Sequence, residues 1–350
     1  MTMTDSGSVS HSDLDWCYDA VQDVSRTFAL TISELHEPMS RYICVGYLLC
    51  RVADTIEDAT HIPPEQKHDL LTEYHAVLEV EDETTPTDFC TTVDEWIPDD
   101  PSSDWEVVQH TPRVVETFRV LEPRVQEAMR EPVLEMIDGM AMFVSRYASE
   151  GGLRIQTMTE LEDYCWYVAG TVGSLVTNLL APAISDEQYA TLSENARSFA
   201  LLLQLVNVAK DVRDDYREEN NVFIPAEVLC QHDVALSDLS DPDAGETVAP
   251  AIETIVARAE QYVSDAEQWL TALPAGVQGT TVSAVAVPYL LAVATMRELK
   301  TRPEDVVRTG DVKVDQKEVF TLLARFHADE TVSLRELREL IETQPLHKAD

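Results

Sequence analysis

Two short stretches of the chain gather carboxylates at spacings that a helix brings together. The first reads Tyr47-Leu-Leu-Cys-Arg51-Val-Ala-Asp54-Thr-Ile-Glu57-Asp58, the second Gln204-Leu-Val-Asn207-Val-Ala-Lys210-Asp211-Val-Arg213-Asp214-Asp215. On a helix, Asp54 and Asp58 are four apart and share a face, with Glu57 three along from Asp54, Arg51 one turn earlier and Tyr47 a turn before that. Asn207, Asp211 and Asp215 form a single i, i+4, i+8 row with Gln204 close by. In an acid-rich chain such pairs also arise by chance, and most would be a solvated face. These two each follow an apolar run, Ile43 to Leu49 and Phe199 to Val208, so the acidic face adjoins the core. Like charges four apart weaken a helix by ~0.2–0.5 kcal/mol per pair. Placing them beside the interior twice implies compensation by bound cations. Hard oxygen ligands in small number suit Mg²⁺, which keeps several waters and bridges to substrate phosphates. The expected arrangement is two carboxylate helices facing each other across a cavity, with Mg²⁺ and a diphosphate between them.

The elements that must position these rows are helical. Apolar residues recur three and four apart through 16–60, 104–147, 158–183, 187–216, 248–273, 278–299 and 316–343. Strand-like alternation bounded by Asn-Gly or Asp-Gly is absent, and 11 glycines in 350 residues leave little for hairpins. Two acidic, proline-bearing stretches, 81–103 and 236–250, read as surface loops, and residues 1–14 read as a flexible terminus. Neither loop separates different structural classes, so the pattern predicts a single all-α domain over 1–350. The apolar helix Val282–Met296 is about 15 residues long and interrupted by Pro288, short of the ~20 needed to cross a bilayer.

Composition excludes some functions outright. Against 25 basic residues stand 64 acidic ones, a net charge of -39, and only six lysines are present. Such a surface repels phosphate backbones and rules out sequence-general nucleic-acid binding. A field this negative destabilises a compact state unless salt screens it, and at molar ionic strength the Debye length falls to about 3 Å. The balance therefore points to a halophilic host. Six scattered cysteines lack C-x-x-C spacing, and Cys44, Cys50 and Cys165 lie among apolar neighbours as buried thiols of a reducing cytosol. An acidic, polar N-terminus is unlike a secretory signal. The expected location is cytoplasmic.

In order along the chain, further motifs accompany the two acidic stretches: Ser25-Arg26-Thr27-Phe28-Ala29, Tyr164-Cys-Trp-Tyr-Val-Ala-Gly170, Phe223-Ile-Pro225, Val287-Pro288 with Ala292-Val-Ala-Thr295, and Gly310-Asp-Val-Lys313-Val. With them the chain resembles the squalene and phytoene synthase family from about Trp16 to Phe326, and its squalene-forming branch most closely. The resemblance implies an isoprenoid synthase fold around a central cavity. It also implies head-to-head joining of two farnesyl diphosphates through presqualene diphosphate, followed by reduction with NADPH to squalene.

By the same resemblance Asp54, Glu57, Asp58, Asp211 and Asp215 hold Mg²⁺, with Asp54, Asp58, Asp211 and Asp215 counted as catalytic. Arg26, Arg51 and Lys210 meet phosphate on the diphosphate or on NADPH, and Lys313 meets the NADPH phosphate. Ser25, Phe28, Tyr47, Gln204 and Asn207 complete the substrate-binding set. Tyr164 matches an acid/base of the first half-reaction; with an ordinary pKa near 10 it needs a neighbouring charge or the departing diphosphate. Phe28 and Tyr47 place aromatic faces where a carbocation can be steadied. Gly170 and Gly173, with no strand before them, are no dinucleotide fingerprint and instead let a helix bend or leave room for an isoprenoid tail. Two positions depart from the family pattern: Asp315 stands where a second basic residue follows the lysine, and Asn221 where an arginine precedes Phe-x-Pro. Condensation without the hydride step, as in phytoene or dehydrosqualene synthases, is the alternative. A non-catalytic acidic helical protein that binds metal or scaffolds a partner is the alternative of another class. Greasy substrates make transient membrane contact natural, yet no basic amphipathic stretch supports it. Oligomeric state is not encoded in any pattern seen.

Overall fold

The computed structural model describes residues 11–33, 35–274, 281–327 and 333–348. Among them every regular element is a helix, and the backbone pairs strand-wise only at an isolated bridge between Arg154 and Val222. The all-α expectation is borne out. Two apolar cores are present. One is built around the first acidic helix, Met39–Asp58, the other around the second, Asp186–Glu218. Val168 and Met39 pack against both.

The second acidic helix has 33 residues and so runs about 50 Å, long enough to cross the whole molecule. Its start is secured by a capping box in which Ser185 accepts from the Gln188 backbone N–H and Gln188 returns a bond to Ser185. Helices Gly245–Glu260, Val263–Ala272 and Thr281–Thr301 pack along it, and Thr171–Leu180 crosses it closely. Gly173 permits that approach: a Cβ there would sit 3.2 Å from the Ala196 carbonyl oxygen.

Several sequence readings change. The stretch 81–103 contains a helix, Pro86–Val93, opened by Thr85, which accepts from the Asp88 N–H at 3.2 Å. Proline there marks a first helical turn, where its missing N–H costs nothing, and Phe89 and Val93 are buried on one face. In 236–250 two 3₁₀ turns lead into the helix at Gly245. The first described helix starts at His11, inside the terminus read as flexible, and residues 1–10 lie outside the described residues. Pro288 does not end its helix, which continues to Thr301 because Tyr289, Leu290 and Val293 are anchored in the core. Cys44, Cys50 and Cys165 are buried free thiols, as read.

The bend expected at Gly170 is a π turn, Trp166–Gly170, between Met158–Cys165 and Thr171–Leu180. Such turns are rare and frequent at functional sites. The Trp166 ring lies over Gly170, where a Cβ would come within 2.1 Å of it. That ring is held by an N–H bond to Glu135 at 3.0 Å and by Arg197 at 5.3 Å from its centroid. Gly170→Ala is therefore expected to cost about 1–3 kcal/mol by overpacking, read as a fall of several degrees in Tm. An unchanged Tm would mean the ring turns aside freely.

Candidate active site

On each acidic helix the carboxylates of the motif lie on an accessible face, with the opposite face packed in a core. Over 42–58 the accessible positions are Ile43, Tyr47, Arg51, Asp54 and Asp58, with every residue between them buried. Over 200–215 the accessible row includes Gln204, Asn207, Lys210, Asp211 and Asp215, while Leu205, Val206, Val208, Ala209 and Val212 are buried.

The charges show that the two stripes share one field. Asp54 is pushed up to about 6 chiefly by burial, with Asp104 adding to the rise and Arg51 opposing it. Asp58 is reached by water but ringed by protein; burial and then Asp54 push it up to about 7. Glu57 rises well above the usual carboxylate range through burial, Asp58 and Asp54. Across the gap, burial, Glu219 and Asp211 push Asp215 up to about 8, and the charge of Asp58 contributes. Glu219, likewise, reaches about 7 through burial and Asp58. Carboxylates that resist ionisation where they sit require a countercharge.

Some of it comes from neighbours. Lys210 pairs with Asp211 at 2.6 Å, and Arg51 lies 2.7 Å from Asp104 and 3.8 Å from Asp54. The Lys67 ammonium bonds the carbonyl of Glu57 and lowers Glu57, Asp58 and Glu219. Lys67 also lines a cavity of about 370 Å³ with Glu57, Arg217, Glu219 and Asn221. Among the described residues no three His, Cys, Asp or Glu side chains converge on one metal position. Mg²⁺ takes one or two carboxylates and completes its shell with water and phosphate oxygens. The donor set, hard oxygens short of positive charge, fits it.

Tyr164, 4% exposed, donates to Glu57 Oε1 at 3.2 Å. Its ring stands edge-on to Phe143 and lies against Phe223. Burial, then Glu57 and Asp58, hold the phenol well above its ordinary pKa. Phe28 and Tyr47 stack at 4.2 Å, and Ser25 Oγ accepts from the Phe28 N–H at 3.3 Å. Arg26 heads the helix Arg26–Ser33, and its side chain lies outside the described residues. Lys313 stands apart: its side chain is 73% exposed and pairs with Asp311 at 3.5 Å. The sequence reading missed Asp104, Lys67 and Glu219; for Lys67, scarcity of lysine was the available signal.

The sequence model of the squalene/phytoene synthase family matches residues 21–318, a span that holds both acidic helices, Tyr164 and Lys313. The chain belongs to this family. Squalene synthase of Schizosaccharomyces pombe is 27% identical to it over 312 residues, 88% of this chain and 64% of that protein. Squalene synthase of Saccharomyces cerevisiae is 30% identical over 301 residues, 85% of this chain and 64% of that protein. The chain thus spans about two thirds of the length of these family members. Among solved structures, TcSQS in complex with the ligand E5700 superposes with a TM-score of 0.76 at 24% identity, covering 95% of this chain and 98% of that one. The family fold, that of the isoprenoid synthases, is therefore the fold of this chain. Among the described residues no helix is long and apolar enough to cross a membrane.

Proposed function

We propose that the chain is a Mg²⁺-dependent prenyltransferase that joins two farnesyl diphosphates head to head through presqualene diphosphate and yields squalene when NADPH is supplied. The observation that carries this reading is the pair of carboxylate rows on two core-packed helices, close enough that the charge of Asp58 acts on Asp215 and Glu219. Asp54, Glu57, Asp58, Asp211 and Asp215 would hold the metal, which when bound neutralises charge on the departing diphosphate as a Lewis acid.

The remaining roles belong to the chain's own side chains. Arg51 and Lys210, one on each stripe, aim positive charge at the same place as the carboxylates and orient a diphosphate between them. Asn207 and Gln204 lie on the same row one and two turns before Asp211, on the side proposed for the prenyl chain. The stacked faces of Phe28 and Tyr47 steady a developing cation. Tyr164 keeps its proton at neutral pH, so the proton leaving the carbon skeleton passes to the Tyr164 oxygen only as the phenol hands its own to Glu57 Oε1, the tyrosine ending unchanged and the carboxyl protonated. Val287 and Leu291, partly accessible apolar positions on the helix Thr281–Thr301, extend the apolar wall that keeps water from quenching the cation.

The NADPH seat fits less well. Lys313 lies between Asp311 and Asp315, is paired with the first, and has its backbone carbonyl held by Arg302. This local charge balance favours a second reading, condensation that stops at an unreduced product. A merely metal-binding or scaffolding protein has no use for a half-buried Arg51 set among carboxylates. Incubation with farnesyl diphosphate, Mg²⁺ and molar salt, with and without NADPH, separates the readings. Squalene formed only with NADPH supports the proposal. Dehydrosqualene in both supports the second reading, and C40 phytoene from geranylgeranyl diphosphate alone overturns the choice of substrate.

A further inference from the structure

Arg51 stands on the accessible stripe between Tyr47 and Asp54, where it has two acidic neighbours at unequal distances. Its Nε lies 2.7 Å from Asp104 Oδ1, a direct charge-assisted hydrogen bond, while Nη1 lies 3.8 Å from Asp54 Oδ2, beyond hydrogen-bond range. Asp104 comes from a different element, the short helix Ser103–Gln109, whose buried Trp105, Val107 and Val108 anchor it against the first acidic helix. All three charged side chains are about equally accessible, 28% for Arg51, 31% for Asp54 and 32% for Asp104, so solvent screening alone does not decide which acid the guanidinium prefers. Geometry decides it. A guanidinium offers five N–H donors in a rigid plane. A bond on the Nε edge fixes the plane and leaves the terminal nitrogens pointing along the stripe.

We propose that Asp104 is a positioning residue that holds the Arg51 guanidinium off Asp54, so that Asp54 stays free as an oxygen ligand for a divalent cation while Arg51 faces a phosphate. Without the Asp104 carboxylate, Arg51 keeps Asp54 as its nearest acid. It would close on Asp54 and occupy the oxygens a cation needs. The inference rests on the reading of Asp54 as a cation ligand. Neighbours that orient metal ligands commonly change metal affinity by about 10–100-fold when replaced.

The test is Mg²⁺ binding by the full chain, without substrate, followed by titration calorimetry with MgCl₂ and by the Mg²⁺-dependent rise in Tm. Asp104→Asn is expected to weaken Mg²⁺ binding about tenfold, with Asp104→Glu close to wild type. In an Arg51→Gln background the competitor is gone, so adding Asp104→Asn is expected to change Mg²⁺ affinity no further. Wild-type affinity in Asp104→Asn overturns the inference. So does an equal loss in the Arg51→Gln background, which would make Asp104 a through-space charge and not a tether. A wild-type chain indifferent to Mg²⁺ would sink the metal reading itself and this inference with it, whereas the first two results leave that reading standing.

Discussion

Asp54→Asn and Asp211→Asn are each expected to lower kcat/KM for farnesyl diphosphate by about 10³-fold or more, the scale on which transition-state charge stabilisation is lost. Asparagine keeps the shape and one oxygen but removes the charge that holds a hard cation. The two positions come from helices more than 150 residues apart in sequence, so a shared loss would tie both rows to one chemical step. Stability is expected to move the opposite way at the positions where burial works against ionisation. Asp54, pushed up to about 6, and Asp215, pushed up to about 8, each cost folding energy when charged. Their asparagine variants should melt no lower than wild type in Mg²⁺-free buffer at pH 8. Opposed effects on activity and stability mark a site kept for function. Activity within tenfold of wild type in both variants would show that metal-assisted ionisation does not happen here.

The second large effect is on the pH dependence of stability. Asp54, Asp58, Asp215 and Glu219 are raised to about 6, 7, 8 and 7, from ordinary carboxylate values near 4. Between pH ~4 and ~8 the folded state therefore binds more protons than the unfolded chain, and stability falls as pH rises through that window. Asp58 links them, since it feels Asp54 and acts on Asp215 and Glu219. Metal-free protein should melt higher at pH 5.5 than at pH 8. Mg²⁺ displaces the protons, so its stabilising effect should be large at pH 8 and small at pH 5.5. Measuring Tm in molar salt removes most repulsion among surface acids, whose screening length is then about 3 Å, and leaves the semi-enclosed cluster. The same series in dilute buffer should melt lower throughout, as a net charge of -39 demands. A Tm that climbs from pH 5.5 to 8, or a Mg²⁺ effect equal at both, would dissolve the cluster as a physical unit. Highest stability in dilute buffer would dispose of the halophilic expectation.

The helical class was legible because a 3.6-residue apolar period needs no knowledge of neighbours. The two acidic rows were legible for the same reason: Asp54 and Asp58, or Asn207, Asp211 and Asp215, fall on one face by spacing alone. The helix Pro86–Val93 escaped because proline and acids were read as loop signals, while Thr85 and Asp88 form a capping box whose closure depends on backbone geometry. The turn at Gly170 was read as a bend; its π form follows from how Trp166 is held by Glu135 and Arg197, residues distant in the chain.

What the chain of residues determined by itself is local and periodic: which segments coil, which faces carry carboxylates, and which family they resemble. Which charges meet was decided only by the packing. Asp104 reaches Arg51 from 53 positions away, Tyr164 reaches Glu57 from 107, and Glu219 feels Asp58 across the gap between helices. Among 64 acids, neither Asp104 nor Glu219 carries a local mark, and the motif around Tyr164 does not say which carboxylate it meets. Coulombic coupling depends on distance and on the surrounding medium, and both are set only once the two cores have packed together.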